Sequence, residues 1–147
     1  MENSKKEEHY RKLENMYHTA NCNNYYSPKM KIYKAKAEIT IPILPKLFHA
    51  AHAAHGSVYF KILDDSAYFA ANSLVYDVFL LTANFNVFIT RPISSGTMFA
   101  IGEVVNTTKN QFIAQAVVYN SDDKEIGRGT GLYVRGKAAL NEKIGYK

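Results

Sequence analysis

Cysteine, tryptophan and proline are scarce in this chain of 147 residues, which has one, none and four of them respectively. The single cysteine, Cys22, cannot form a disulfide within the chain, and the lack of a thiol pair is typical of a reducing cytoplasm. No apolar run is as long as a membrane span, and the N-terminal sequence MENSKKEEHYRKLE is too charged for a signal peptide. We therefore expect a cytoplasmic protein that does not cross a membrane.

Long blocks of like charge are also absent, although the formal net charge is +5. Nucleic-acid-binding proteins more often concentrate lysine and arginine on one helix or among exposed aromatic side chains, so we expect no nucleic-acid partner. A diffuse basic surface can equally attract a small polyanion, such as a nucleotide-bearing substrate. With 47% apolar and 21% charged residues, the chain is predicted to fold as one domain over residues 1–147.

Two segments have the pattern of helices. The segment KKEEHYRKLENMYHTA places Tyr10, Leu13, Tyr17 and Ala20 on one side, which predicts an amphipathic N-terminal helix. The segment after Gly56, SVYFKILDDSAYFAANSL, has no turn signal and is apolar on nearly every side. It predicts a long helix that other elements enclose.

Alternating patterns predict five strands around this helix. Residues 31–41 alternate as one strand, with Tyr33 and Ala35 on the same face as the isoleucines, and Pro42 ends it. Four more segments follow the enclosed helix: LLTANFNVFIT, TMFAIGEVVNTT, QFIAQAVVYN and EIGRGTGLYVR. From Lys137 onward we expect a loose tail. Consecutive strands favour an antiparallel sheet, so the predicted fold is α+β, with a curved antiparallel sheet wrapped around the long helix.

Three histidines, His49, His52 and His55, recur at every third position before the enclosed helix. On a helix this spacing would rotate each ring by about 60°, so three rings would not converge on one ion without a bend. The helical zinc motif, two histidines four residues apart with a glutamate between them, is missing. We therefore predict no metal ligands here and interpret His52 as a surface or capping residue.

The enclosed helix carries two adjacent carboxylates, Asp64 and Asp65, on stripes that are otherwise apolar. Burial of a carboxylate is costly unless a partner or a function retains it. A desolvated carboxylate has a raised pKa, which suits a general base or a nucleophile. The alternative is a salt bridge with Lys61, three or four positions earlier. The residues alone do not decide between these interpretations.

Gly56 stands at the predicted start of the helix. Backbone N–H groups at a helix start have no partner within the helix and can polarise a carbonyl, although many such glycines only permit a turn. Three further glycines, Gly127, Gly129 and Gly131, fall on one face of the last strand, where they would leave room for the central helix or for a neighbouring chain. They do not form a phosphate loop, because the strand-to-helix context and the lysine of that motif are missing.

The segment HGSVYFKILDDSAYFAANS resembles the helix signature of the hotdog-fold acyl-CoA thioesterases, specifically their phenylacetate-degradation (PaaI-like) branch. That signature begins with a histidine and two glycines and has an acidic residue nine positions after the histidine, which here is Asp64 after His55. The arginine-proline pair after the following strand, a glycine in the next turn and the glycine-rich strand IGRGTGLYV match the layout of that family as well. The resemblance covers roughly residues 31–135.

The resemblance implies hydrolysis of an acyl-CoA thioester, without a cofactor, by a homodimer or homotetramer with active sites at the dimer interface. In that arrangement the N–H of Gly56 would polarise the thioester carbonyl, and Asp64 of the other chain would attack it or activate a water. His55 would orient the thioester, and the hydroxyl of Thr82 would help to place the water. The candidates for binding the CoA phosphates are Arg91, Lys109 and Arg128.

Three positions depart from the family pattern. Ser57 replaces the second glycine and crowds the helix start, and Asp65 adds a second carboxylate; we group both with the substrate-contacting residues. His49 replaces an asparagine that holds the attacking water in many relatives, although histidine can also donate a hydrogen bond or act as a base. These departures leave open a non-catalytic hotdog domain that binds acyl-CoA or another acyl thioester. A dehydratase or hydratase is less favoured, because the proline-rich histidine motif of that branch is missing.

Overall fold

The computed structural model describes residues 1–147, which form two α-helices, six β-strands and three short 3₁₀ helices. In chain order the helices and strands are α1 (Glu2–Thr19), β1 (Lys29–Tyr33), β2 (Lys36–Pro42), α2 (Gly56–Asn72), β3 (Val78–Ile89), β4 (Thr97–Thr107), β5 (Gln111–Tyr119) and β6 (Glu125–Ala139). The 3₁₀ helices span Asn21–Asn24, Pro45–Leu47 and Glu142–Ile144.

The six strands form one antiparallel sheet in the order β1-β2-β4-β5-β6-β3, and α2 contacts every strand. The approach of β4 to the helix is especially close. A Cβ atom at Gly102 would lie 2.2 Å from the backbone carbonyl oxygen of Ser66, so only glycine fits there. The enclosed position of α2 explains why its sequence is apolar on nearly every side. The predicted α+β architecture, with a curved antiparallel sheet around a central helix, is confirmed.

The N-terminal helix is confirmed as well. It begins three residues before the predicted segment, and Tyr10, Leu13 and Tyr17 are buried as expected. The helix packs on β1, and the ring of Tyr17 contacts Phe69 of α2, which makes α1 a cover over one side of the core. No helix of the chain is both long enough and apolar enough to cross a membrane.

The single strand predicted over residues 31–41 is wrong, because the chain reverses at a two-residue turn that ends with Ala35. β1 and β2 therefore pair as a hairpin. Ala35 has φ of 57°, the left-handed region that such turns require and that glycine or asparagine usually fills. The reversal also changes which residues face the core. Ile32 is fully buried, whereas Tyr33 is 42% exposed.

The C-terminal segment expected to be a loose tail is ordered instead. β6 continues to Ala139, and the residues after it return to α1. The hydroxyl of Tyr146 lies 2.7 Å from Nδ1 of His9, whose ring is buried, and Nε2 of His9 lies 3.1 Å from the carbonyl oxygen of Asn72. Burial lowers the pKa of His9, which favours the neutral ring that can accept one hydrogen bond and donate the other.

The glycines of β6 leave room mainly for a neighbouring strand. Cβ atoms at Gly129 and Gly131 would each come within 2.6 Å of the ring of Phe85, which lies on β3. At Gly127 a Cβ atom would also meet the central helix, 3.3 Å from the ring of Tyr59. The predicted room is therefore present, but an aromatic ring of the adjacent strand fills most of it.

Candidate active site

The start of α2 presents one free backbone N–H group. His55 precedes the helix with extended backbone angles (φ −61°, ψ 147°), and its Nδ1 accepts a hydrogen bond from the N–H of Ser57 at 3.0 Å. The N–H of Val58 donates to the carbonyl oxygen of His55. The N–H of Gly56 is left without an acceptor in the chain, so it is available to a ligand.

The cap also fixes the tautomer of the neutral His55 ring. Because Nδ1 accepts from a backbone N–H, the proton of the neutral ring lies on Nε2, which is available as a donor. The hydroxyl of Ser57 lies 2.9 Å from the same Nδ1. The side chain of Ser57 is therefore turned towards the cap.

A shallow pocket of about 300 Å³ lies beside the helix start and brings several predicted residues together. Its walls include His49, Gly56, Ile89 and Arg91. Nδ1 of His49 accepts from the N–H of Ala51 at 3.0 Å, so its neutral ring also carries the proton on Nε2. The side chain of Arg91 is exposed and forms no salt bridge within the chain.

The three histidines do not lie on a helix, so the helical spacing considered for a metal site does not apply to them. His49, His52 and His55 occupy the loop before α2, and all three side chains are exposed. His52 has φ of 62°, which turns the chain between the other two. No group of three or more histidine, cysteine, aspartate or glutamate side chains in the chain lies close enough to share a metal ion.

Asp64 lies in the third turn of α2, on the side that faces β3 and β6. Its Oδ1 accepts hydrogen bonds from two hydroxyls, that of Thr82 on β3 at 3.1 Å and that of Tyr133 on β6 at 3.0 Å. Burial raises the pKa of Asp64, and the charge of Asp65 raises it further, while the hydrogen bonds from Tyr133 and Thr82 and the charge of Lys61 lower it. The result is a carboxylate with a pKa above its ordinary value and a fixed orientation.

Asp65 has different surroundings from its neighbour. Its Oδ2 forms a salt bridge with Nζ of Lys61 at 2.5 Å and accepts a hydrogen bond from the hydroxyl of Tyr17 at 2.8 Å. The Lys61 and Asp65 side chains are each only 17% exposed. Burial raises the pKa of Asp65, and both Lys61 and Tyr17 act against that shift. The salt bridge considered for either carboxylate thus forms with Asp65.

An apolar cavity of about 550 Å³ adjoins both carboxylates and Thr82. Its walls come from α1, α2, β3 and the C-terminal segment, and eleven of its sixteen residues are hydrophobic. A cavity of this size and composition fits a small apolar group with a polar attachment. The apolar wall is formed largely by Met16, Tyr17, Tyr68, Phe69, Phe79, Leu80, Leu81, Ala138 and Ile144.

Gly56 and Asp64 are not brought together within one chain. They lie eight positions apart on α2, which is about 12 Å along the helix axis. The helix start, with His49, His55, Ser57 and Arg91, and the cavity, with Asp64 and Thr82, are therefore separate regions of the chain. We refer to them as the two candidate half-sites.

The three candidate phosphate-binding cations are dispersed. Arg91 and Arg128 lie at the same end of the sheet, because Phe88 pairs with Arg128 just before the chain reaches Arg91. Lys109, in the turn between β4 and β5, lies at the opposite end, about 25 Å away along the strands. The guanidinium of Arg128 is bound to Glu125, with Nε 3.1 Å from Oε2. Only Arg91 combines a free guanidinium with a position beside the helix start.

Sequence reasoning missed Tyr133 and Tyr17, the two tyrosines that hold the carboxylates. The alternation of the last strand places Tyr133 on the same face as the glycines, so its inward position could have been predicted. Its contact with Asp64 joins residues 69 positions apart, and no local pattern carries that information.

The profile of one protein family matches a region that includes Gly56, Asp64 and Thr82. It is described as the thioesterase superfamily, and it matches residues 52–126, just over half of the chain. The chain belongs to the thioesterase superfamily. No curated protein sequence gives a significant match.

Solved structures of this superfamily share the fold. The PaaI protein from the phenylacetic acid degradation operon of Escherichia coli is 16% identical, covers 92% of this chain and 99% of its own, and has a TM-score of 0.84. A thioesterase of Haemophilus influenzae is 15% identical, with 82% and 85% coverage and a TM-score of 0.74. A variant of a Staphylococcus aureus thioesterase is 12% identical, with 80% and 100% coverage and a TM-score of 0.76. The predicted hotdog fold and the resemblance to PaaI-like proteins are thereby confirmed.

Proposed function

We propose that the protein hydrolyses the thioester bond of an acyl-CoA and releases a free acid and CoA. The observation that carries this proposal is the setting of Asp64, a partly buried carboxylate that two hydroxyls hold at the wall of an apolar cavity. Membership of the thioesterase superfamily supports acyl-thioester hydrolysis as the class of reaction.

In the proposed reaction, the N–H of Gly56 donates to the thioester carbonyl and stabilises the negative charge that develops on its oxygen. Asp64 either takes a proton from the attacking water or attacks the carbonyl carbon itself. The carbon–sulfur bond breaks, and CoA leaves as the thiol after its sulfur takes up a proton. Direct attack gives a mixed anhydride, which water then hydrolyses. No cofactor takes part.

The histidines of the helix start would orient the reactants. Nε2–H of His55 is a donor next to the free N–H of Gly56, which supports its assignment to the thioester. Nε2–H of His49 is a second donor on the wall of the same pocket. We assign His49 to the attacking water, in the role that an asparagine has in many relatives.

We further propose that each active site joins Asp64 of one chain to Gly56 of a second copy. β3 is an edge strand of twelve residues without a charged residue or a proline, and such an edge is a template for pairing with another strand. A two-fold pairing centred between Phe85 and Asn86 would place Thr82 of one chain opposite Ile89 of the other. Because Thr82 touches Asp64 and the side chain of Ile89 lies beside Gly56, this pairing would unite the two half-sites. A homodimer is the smallest such assembly, and a homotetramer contains two of them.

In this arrangement the acyl group would occupy the apolar cavity and the CoA phosphates would lie near the helix start. The free guanidinium of Arg91 is the best placed cation for those phosphates. Arg128 would have to exchange Glu125 for a phosphate, and Lys109 could contribute only through another chain. Asp65 would contact the acyl group as part of the cavity wall, with Ser57 at the helix start.

The test is thiol release from a panel of acetyl-, hexanoyl-, phenylacetyl- and palmitoyl-CoA. We expect the wild-type protein to hydrolyse at least one of them, and Asp64→Asn to lower kcat/KM by about a thousand-fold. Asp65→Asn should have a much smaller effect on the rate, although its thermal midpoint should fall because Lys61 is left unpaired.

Two outcomes would contradict the proposal. Comparable losses of activity from both variants, each shown to be folded by circular dichroism, would remove the assignment of Asp64. No thiol release from any acyl-CoA by the folded wild-type protein would favour the non-catalytic domain, which would still bind an acyl-CoA in a calorimetric titration.

A further inference from the structure

Tyr133 is fully buried, and its hydroxyl is directed at the carboxylate of Asp64. The hydroxyl lies 3.0 Å from Oδ1 and 3.3 Å from the backbone carbonyl oxygen of the same residue. Burial raises the pKa of Tyr133, so the phenol remains protonated and acts as the donor. A buried hydroxyl needs a hydrogen-bond partner. The partner of the Tyr133 hydroxyl is Asp64, the residue proposed to perform the reaction.

The two oxygens of Asp64 are held unequally. Oδ1 accepts from Tyr133 and from Thr82, which lies 3.1 Å away, so two donors from two different strands occupy it. Oδ2 has only a long contact of 3.5 Å with the hydroxyl of Thr82. Attack on a carbonyl, or proton transfer from water, needs one carboxylate oxygen with free lone pairs in a fixed position.

We infer that Tyr133 is a positioning residue that holds Oδ1 of Asp64 and thereby makes Oδ2 the reacting oxygen. The role of Oδ2 as the reacting oxygen rests on the proposed function, whereas the hydrogen bond from Tyr133 to Oδ1 does not. Tyr133 acts through Asp64, since it lies behind the carboxylate and is not part of the cavity wall.

Gly131 is needed for the hydrogen bond between Tyr133 and Asp64. A Cβ atom there would lie 2.7 Å from the hydroxyl oxygen of Tyr133 and 2.6 Å from the ring of Phe85. Any side chain at this position would therefore push the hydroxyl away from Asp64. Gly131 thus provides the space in which the Tyr133 hydroxyl meets the carboxylate of Asp64.

The groups that face Asp64 determine how its pKa responds when the Tyr133 hydroxyl is removed. They are Tyr133 from β6, Thr82 from β3, and Lys61 and Asp65 from its own helix. The hydrogen bond from Tyr133 stabilises the ionised carboxylate and so lowers the pKa of Asp64. Removal of the hydroxyl raises that pKa, and the acid limb of the kcat/KM profile moves to higher pH.

The test compares Tyr133→Phe with Tyr146→Phe. Both changes remove one hydroxyl hydrogen bond, but that of Tyr146 is with His9, away from the cavity and the helix start. We expect Tyr133→Phe to lower kcat by about ten- to a hundred-fold with little change in KM, and to shift the acid limb upward. Tyr146→Phe should leave kcat and the profile unchanged. Thr82→Val removes the other donor to Oδ1 from an exposed site, and it should shift the limb in the same direction.

A titration of ¹³C-labelled aspartate followed by NMR, with Asp64→Asn to assign the signal, measures the pKa of Asp64 and needs no activity assay. A higher pKa of Asp64 in Tyr133→Phe, or in Gly131→Ala if the first variant does not fold, supports the inference, because either change takes the Tyr133 hydroxyl away from Asp64. An unchanged pKa of Asp64 overturns it, and so does an active Tyr133→Phe enzyme with wild-type kcat. If the wild-type protein hydrolyses no acyl-CoA, the proposed function fails, while the titration still shows whether Tyr133 holds Asp64.

Discussion

Asp64 and Asp65 are neighbours on one helix, but their side chains leave it about 100° apart and meet different elements. Asp64 faces the hydroxyls of β3 and β6, and Asp65 faces Lys61 and the N-terminal helix. The second carboxylate already has a cation, so its charge is compensated inside the protein. Asp64 has only neutral donors, and a partly buried carboxylate without a counter-ion is poised for chemistry.

At the same scale, the N–H of Gly56 can be removed without disturbing the helix. Proline is favoured at the first helical position, where its missing N–H is not needed, and His55 already has the extended backbone that a following proline requires. Gly56→Pro should therefore fold and should lower kcat by about a hundred- to a thousand-fold, because the donor to the developing oxyanion is lost.

Gly56→Ala is the matched control for this change. It adds a comparable Cβ atom, 3.2 Å from the end of the Ile89 side chain, but it keeps the N–H. We expect a much smaller loss of kcat than with proline. Equal losses from both variants in the thiol-release assay would mean that crowding, and not the N–H, accounts for the effect.

At the scale of elements, the end of β6 contributes to the acyl cavity. Ala138 lies on the cavity wall, whereas the next residue, Ala139, does not. Both are exposed to solvent in part, so either can be enlarged without overpacking the core. Ala138→Phe should lower kcat/KM for palmitoyl-CoA by about ten-fold or more and affect acetyl-CoA little.

Ala139→Phe is the control, and it should leave the chain-length preference of the wild-type protein unchanged. The ratio of kcat/KM for palmitoyl- and acetyl-CoA measures the effect independently of enzyme concentration. A ratio that is the same in Ala138→Phe and Ala139→Phe would show that the acyl group does not occupy this cavity.

The enclosed helix and the four strands after it could be predicted because their patterns are local. An apolar segment without turn residues predicts an enclosed helix, and alternation of apolar and polar residues over four successive segments predicts an antiparallel sheet. The hairpin at Ala35 could not be predicted, because the alternation continues through the turn and no glycine, asparagine or proline marks it. The order of the C-terminal segment depends on His9, which lies 137 residues from its partner Tyr146.

The site could be predicted only in part for the same reason. The interval from His55 to Asp64 lies within one helix and its cap, so both ends could be named from the sequence. The salt bridge of Asp65 also follows a helical spacing, although the sequence did not decide which carboxylate formed it. The hydroxyl of Tyr133 comes from a distant strand, and the cavity combines both ends of the chain, so neither has a local signal.

At the scale of the whole molecule, the start of α2 and Asp64 lie about 12 Å apart along the helix, and in the proposed mechanism each belongs to one half of an active site. The unpaired, uncharged edge of β3 runs between them, with Thr82 towards one and Ile89 towards the other. Assembly through this edge is therefore part of the proposed mechanism as well as of the quaternary structure. A protein that is monomeric by sedimentation at assay concentrations should be inactive.

The most direct measurement is the activity of a mixed dimer. Asp64→Asn and Gly56→Pro chains, co-expressed with different tags in equal amounts, should form heterodimers in which one site pairs an intact Asp64 with an intact Gly56. We predict thiol release at about a quarter of the wild-type rate in the unfractionated mixture, although each variant alone is nearly inactive. Heterodimers that are isolated through both tags and are no more active than their parents would contradict a site shared between two chains.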